Sequence, residues 1–452
     1  MTVDRFGLHH RSTDAGALAS FETAVHAVAA HRPSAAEGLQ DALAADPDLV
    51  AAHALKGLAA VVLAKEELGP AAARAHADAV AARERAGGST AGEDALVDAL
   101  ELAAQGKLRS GAARLEAHLD RHPRAFLPLK IAHALRFMAG DARGMLVTTA
   151  RVLDAWSPAM AGYGFVLGCH AFGLEELGEL SAAERVGREA VAHEPADSWG
   201  LHAVSHVHEM QGRTGEGIAW LEGARPVWTA CNNFSFHMAW HLALFHLERG
   251  EHERVLDLYD AEVRPKPTDD FRDMANAVSL LWRLEQDGVA VGERWDELRR
   301  VALGRRLDTT LTFATLHSLM ALVATGEIEA AGELVAAVEA KTAVGGEQAA
   351  VMGSVGLELA RTILALATDR TSRAGLDVLA SRLPSIGGSH AQRDVFLRTL
   401  AGLAAERGDR GALDGVLSAR RRLKRDDAFA GRMMARCAAR PSKPVPRTRK
   451  MS

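Results

Sequence analysis

Residues 197–260, DSWGLHAVSHVHEMQGRTGEGIAWLEGARPVWTACNNFSFHMAWHLALFHLERGEHERVLDLYD, decide how the rest of the chain reads. Small and apolar residues recur there at spacings of three and four. They are interrupted by the turn-forming QGR and ERG, which is the pattern of antiparallel helix pairs. The stretch also holds seven of the chain's twenty histidines and four of its seven tryptophans, so chemistry and architecture are concentrated together. His202 and His206 stand four residues apart with Glu209 three further on, which puts all three on one helix face; His237 and His241 repeat the four-residue step one hairpin later.

Upstream, the same organisation is punctuated by proline. DPD at Pro47 stops one helix and suits the start of the next. Pro123, Pro158 and Pro195 then follow at intervals of about 35 and 37 residues, the period of tetratricopeptide-like (TPR-like) helix pairs. Residues 96–123, 163–195 and 238–265 each read as two helices around a turn glycine (Gly106, Gly178 and Gly250), with a small residue where the helices approach and a closing proline. Each pair alone leaves an apolar face bare, so stacking supplies the core. The expectation is one all-α, TPR-like α/α superhelix, a solenoid whose inner surface is lined by the first helix of each pair. Regular repeats should run over about 20–265 and divergent ones over about 268–435, less regular and closing on themselves toward the C-terminus. Residues 436–452 read as a basic tail.

Composition supports this and excludes several classes of function. Ala, Leu, Arg and Glu dominate a chain of 452 residues and β-branched runs are scarce, which favours helix. A net charge of −5 offers no broad field for nucleic acid or an anionic membrane. Basic residues cluster only from Arg420 to Lys450, a stretch that reads as a solvated terminal tail or a contact for an acidic partner. Three scattered cysteines fit reduced thiols in a cytoplasmic protein. There is no secretory h-region and no apolar run long enough to span a bilayer. Near the C-terminus, Gly387 and Gly388 precede a helix starting about Ser389; this reads as a turn with Ser389 as N-cap, or as a set of free N–H groups for an anion, but lacks the order of a P-loop.

Several long motifs resemble one family. HAVSHVHEMQGRTGEGIAWLE, CNNFSFHMAWHLALFHLERGEHERVLDLYD, NAVSLLWRLE and GGSHAQRDVF, in this order and preceded by GYGFVLGCHAFGLEELGELSAAERVGREA, are similar to the family named for tetratricopeptide repeat protein 38. The resemblance covers about residues 123–400. It implies a cytosolic TPR-like superhelix and no established reaction. The family pattern falls on Phe172, Glu175, Glu176, Asp197, Trp199, His202, His206, Glu209, Asn232, His237, Trp240, His241, Ser279, His317, Gly388, Gln392 and Asp394. Asn276 stands where the family commonly has an acid, with Asp273 three residues earlier.

First helices of stacked pairs lie side by side, so the two histidine pairs can meet. Buried imidazoles are costly unless each has a partner, which leaves three readings of His202, His206, Glu209, His237 and His241. The four histidines can hold a divalent metal, which nothing in the sequence requires and for which the H-E-x-x-H motif is missing. Alternatively, the five residues can act as acids and bases. They can also form a hydrogen-bonded polar core that fixes the angle between repeats. Glu175, Trp199, Asn232, Trp240, Asn276, His317, Gln392 and Asp394 are the candidates for lining a ligand site around them; of the adjacent acids Glu175 and Glu176, one is expected to face the histidines and the other solvent. Cys231 sits before a helix start, where a thiolate is favoured. Two classes of function follow. One is a central pocket for a small molecule or peptide, with acid/base or metal-assisted chemistry; the other is a non-enzymatic protein–protein scaffold. Solenoid ends leave a homodimer open in either case.

Overall fold

The structure is a computed structural model that describes residues 1–368, 375–425 and 427–439. Among these, regular structure is helical apart from a short antiparallel pairing of Thr2–Val3 with His9–His10, so the chain is all-α as its composition and periodicity require. The helix pairs fall where the turn glycines place them: Ala91–Ala104 with Leu108–Leu119, Tyr163–Glu176 with Leu180–His193, Ser198–Met210 with Thr214–Gly223, and Phe234–Glu248 with His252–Leu258. Gly106, Gly178, Gly212 and Gly250 close the first helix of each pair at φ of 75°, 84°, 69° and 72°, a left-handed conformation that spares a side-chain clash.

The two helices of a pair differ in what covers them. All thirteen residues of Ser198–Met210 are buried, whereas Leu180–His193 buries only Ala183, Val186, Gly187 and Ala190. A helix with one apolar stripe packs on one side; a helix buried all round has neighbours on every side. Part of that cover comes from far along the chain. The helix His390–Arg407 packs against both Ser198–Met210 and Phe271–Gln286. Elements before residue 110 meet elements beyond residue 265: Lys65 pairs with Asp269, Arg305 Nη2 lies 2.8 Å from Glu67 Oε1, and the Arg109 N–H donates to Glu347 at 2.9 Å. The closing of the chain on itself is thus carried by named contacts, and the buried apolar side chains form one cluster from Phe6 to Cys437.

The basic C-terminal stretch needs correction over its first part. Arg420 and Lys424 are buried, and the helix Ala428–Ala438 docks with the Phe429 ring 4.0 Å beneath the Arg398 guanidinium. The physical reason is a set of acids that the rest of the fold buries. Arg420 Nε lies 2.6 Å from Asp394 Oδ1, and Lys424 pairs with Glu209 and Glu248. The remainder of the expected tail, 440–452, lies outside the described residues. No described helix is long and apolar enough to cross a membrane.

Candidate metal centre and its pocket

Two adjacent first helices build the centre. Asp197 caps Ser198–Met210 by accepting from the Trp199 N–H at 3.2 Å, and the four-residue step then aims His202 and His206 toward Phe234–Glu248. Small residues allow the close approach behind them: a side chain at Gly187 would meet Val204 at 2.7 Å. From the facing helix come His237 and His241.

The four rings point the same atom at one spot. His202 Nε2 lies 2.9 Å from His206 Nε2, 2.9 Å from His237 Nε2 and 3.1 Å from His241 Nε2, and the last two are 3.2 Å apart. Three of the outward nitrogens face acceptors. His241 Nδ1 lies 3.2 Å from Glu209 Oε2 and His237 Nδ1 lies 3.0 Å from Asn276 Oδ1. His206 Nδ1 stands 3.3 Å from Glu175 Oε2, at ion-pair distance but off the line of a hydrogen bond. His202 Nδ1 is buried without a partner.

The contacts on the outward nitrogens set where the protons sit. A neutral imidazole carries one N–H and one lone pair. Rings whose Nδ1 faces an oxygen keep the proton there, and this turns the lone pairs of His206, His237 and His241 inward. His202 can present an N–H to the centre, and His206 can present a second when it carries a proton on both nitrogens. Burial, then the other imidazoles, push His202 and His237 well below the usual histidine range, and burial takes His241 down to about 4 despite Glu209. Burial also opposes protonation of His206, but Glu175 with Glu209 and Glu176 outweighs it and raises that ring. The same contacts are compatible with a hydrogen-bonded polar core. A cation fits them as well: an ion about 2.0–2.1 Å from four tetrahedral imidazole nitrogens sets them about 3.3 Å apart, and the four spacings above fall short of that by only a few tenths of an ångström. Outward nitrogens backed by carboxylate or amide oxygen are the usual support of metal-binding histidines.

Glu209 is itself held in place. Its other oxygen accepts from Lys424 Nζ at 3.1 Å, and the Lys424 and His241 contacts outweigh burial to keep the carboxyl well below the usual range. Glu175 faces His206, as expected of one of the two adjacent acids. Glu176 does not reach solvent: it is buried, with Arg393 Nη2 at 2.9 Å and the His390 N–H at 2.8 Å, because the returning helix supplies the cation.

A cavity of about 160 Å³ opens beside the cage and is bordered by His202 and His237. Trp199 and Phe234 wall it, with ring centroids 4.9 Å and 5.3 Å from that of His202. Gln392 lines the cavity while also completing the capping box of Ser389, which confirms the N-cap reading of that serine. Trp240 is stacked on His237 at 5.3 Å but buried away from the cavity. Three expected ligand residues stand elsewhere. Asn232 is exposed and accepts from the Phe234 N–H, turning the chain into its helix, while Asn233 lines the cavity instead. His317 bonds to its own helix at Phe313 O, 2.8 Å away, and packs on Phe396. Asp394 is committed to Arg420. Cys231 is buried beside Ser198, and burial pushes its thiol up, against the thiolate expected from its place before a helix.

Sequence reading missed Lys130, His133, His31 and Arg272, all on the cavity wall, and Lys424 behind Glu209. Lys130 had a signal: it is a lysine inside the apolar run FLPLKIAHAL. His31 and Arg272 had none. No family model matches the chain.

Proposed function

We propose that this protein is a helical-repeat metalloprotein. His202, His206, His237 and His241 would hold one divalent first-row ion at the floor of a small, largely apolar pocket, and the pocket brings a small molecule to it. The observation that supports this is the convergence of four Nε2 atoms on one spot, with the outward nitrogens of three rings backed by oxygens. Imidazole donors suit Zn, Cu, Fe or Ni, and a four-nitrogen tetrahedral arrangement suits Zn best. An ion held by these four imidazoles would supply Lewis acidity to a carbonyl or phosphoryl group in the pocket. The chain's own groups do the remainder: Glu209, Glu175 and Asn276 orient the rings, and Trp199 and Phe234 exclude water above them. His237 is the edge at which cage and pocket meet, because it borders the cavity and keeps 9% of its surface exposed. Membership of the family named for tetratricopeptide repeat protein 38 is part of this reading and rests on the motifs quoted above.

Elemental analysis of protein purified without chelator tests the reading. About one ion per chain is expected, lost in His206→Ala and His241→Ala and retained in His246→Ala, which alters a histidine paired with Glu251 outside the cage. Wild-type protein that binds no zinc, iron, copper or nickel on direct titration would overturn it.

A further inference from the structure

The cavity beside the cage carries a charge that no described carboxylate neutralises at contact distance. Lys130 lies in the helix Phe126–Met138, is 7% exposed, and borders the cavity. Its Nζ has two neighbours: Cys169 Sγ at 4.0 Å and the ring of Trp199 at 5.1 Å. Among the described residues no carboxylate lies within ion-pair distance of it. The other charges at the cavity have polar partners, although Asp273 Oδ1 is buried without one. Arg272 is bound to Asp270 through both Nε and Nη2, at 2.9 and 2.6 Å, and Asp273 accepts from Asn233 and from Thr268. Asp197 acts on Lys130 only through space and holds its own proton to about 7, because burial outweighs the ammonium.

A second donor stands one helical turn along. Trp199 Nε1 donates to His133 Nε2 at 3.2 Å, so the ring of His133 keeps its own proton on Nδ1, which is buried and without a partner. Residues three apart share a helix face, and both border the cavity. A buried ammonium without a counter-ion is unfavourable in the empty protein and becomes favourable when an anion arrives. The rest of the wall is aromatic and aliphatic, and a cavity of about 160 Å³ is of the size that takes a single benzene ring. Trp199 lies under Lys130 and beside His202, so one small molecule spans from the ammonium to the cage.

We infer that the pocket takes a small carboxylate with an aromatic or short aliphatic body, its acid group held by Lys130 and His133 and its far end directed at His202 and His237. The inference deepens the metalloprotein reading: that reading supplies the reactive end, and Lys130 supplies the recognition end.

Calorimetric titration of the full, metal-loaded chain with benzoate, phenylacetate, 3-phenylpropionate and the neutral 3-phenylpropanol tests it. At least one acid should bind at least about tenfold more tightly than the alcohol. Lys130→Met should abolish that preference while leaving metal content unchanged, Lys130→Arg should keep part of it, and His133→Phe should weaken it. Lys130→Met should melt at the same temperature as wild type or higher, since it removes an uncompensated charge. Failure of all three acids to bind at millimolar concentration, or a preference that survives Lys130→Met, would overturn the inference. Failure of the metal reading shows separately, as wild-type protein without metal whose preference for the acid still depends on Lys130.

Discussion

Lys424 Nζ lies 3.1 Å from Glu209 Oε1, across 215 residues of chain, while the other oxygen of the same carboxylate lies 3.2 Å from His241 Nδ1. One carboxylate therefore ties the last described part of the fold to the histidine cage. Lys424→Met leaves Glu209 and Glu248 buried together without their cation. Breaking such a pair costs about 3–5 kcal/mol, so the variant should melt well below wild type by calorimetry. An unchanged melt would show that solvent or other groups replace the ammonium.

Glu209→Gln and Glu175→Gln keep shape and an acceptor but remove charge behind His241 and His206. Loss of such support weakens metal binding about 10- to 100-fold. Competition with a coloured chelator measures this directly. Equal affinity in all three proteins would mean that the carboxylates serve the fold alone.

Removing everything after Asp260 takes away Arg393 from Glu176, Lys424 from Glu209 and the helices that cover Ser198–Met210. The fragment should be insoluble or molten, with exposed apolar surface and no cooperative transition. A soluble fragment with a sharp melt would show an independent N-terminal domain.

Asp197 offers a pH test away from the cage. Burial pushes its carboxyl up to about 7, with Lys130 opposing, whereas the unfolded chain releases this proton near pH 4. Between these values the folded state binds the extra proton, so stability falls as pH rises from about 4 to about 7, and below about pH 4 the two states no longer differ. Asp197→Asn keeps the cap without the titration. It should gain on wild type by roughly 4 kcal/mol over that interval, read from urea transitions at a series of pH values. A constant difference would show that the carboxyl titrates normally.

How much of this was legible in the sequence depended on distance along the chain. The helix pairs were, because a turn glycine and a closing proline are local signals; so was the meeting of His202 and His206 with His237 and His241, because neighbouring hairpins stack. The cavity wall was not. Lys130 and His133 come from a hairpin two units earlier and His31 from the first helix region, and no periodicity in residues 197–260 points to them. Asn232 was chosen over Asn233 because sequence order does not say which of two adjacent amides turns inward once Phe234 starts the helix. The fates of Glu176, Arg420 and Lys424 depended on the returning helices, whose packing partners lie more than 200 residues away for Glu176 and Lys424. Short π-helical turns at Tyr259–Val263 and Met352–Gly356 change the phase of the helical pattern.

All four cage histidines fall within 39 residues of one another, on two consecutive hairpins, whereas the cover over them is made last. Order of synthesis then matters. During translation the cage residues are all made well before Arg393 and Lys424 leave the ribosome, and an ion that binds them would first meet open imidazoles. In the finished chain three of the rings are 0–1% exposed, and the fourth, His237, meets the cavity, so an ion held there would exchange by way of the cavity at His237. One narrow opening would then serve both the ion and whatever the pocket admits, so a molecule seated against His237 would slow the loss of the ion as well.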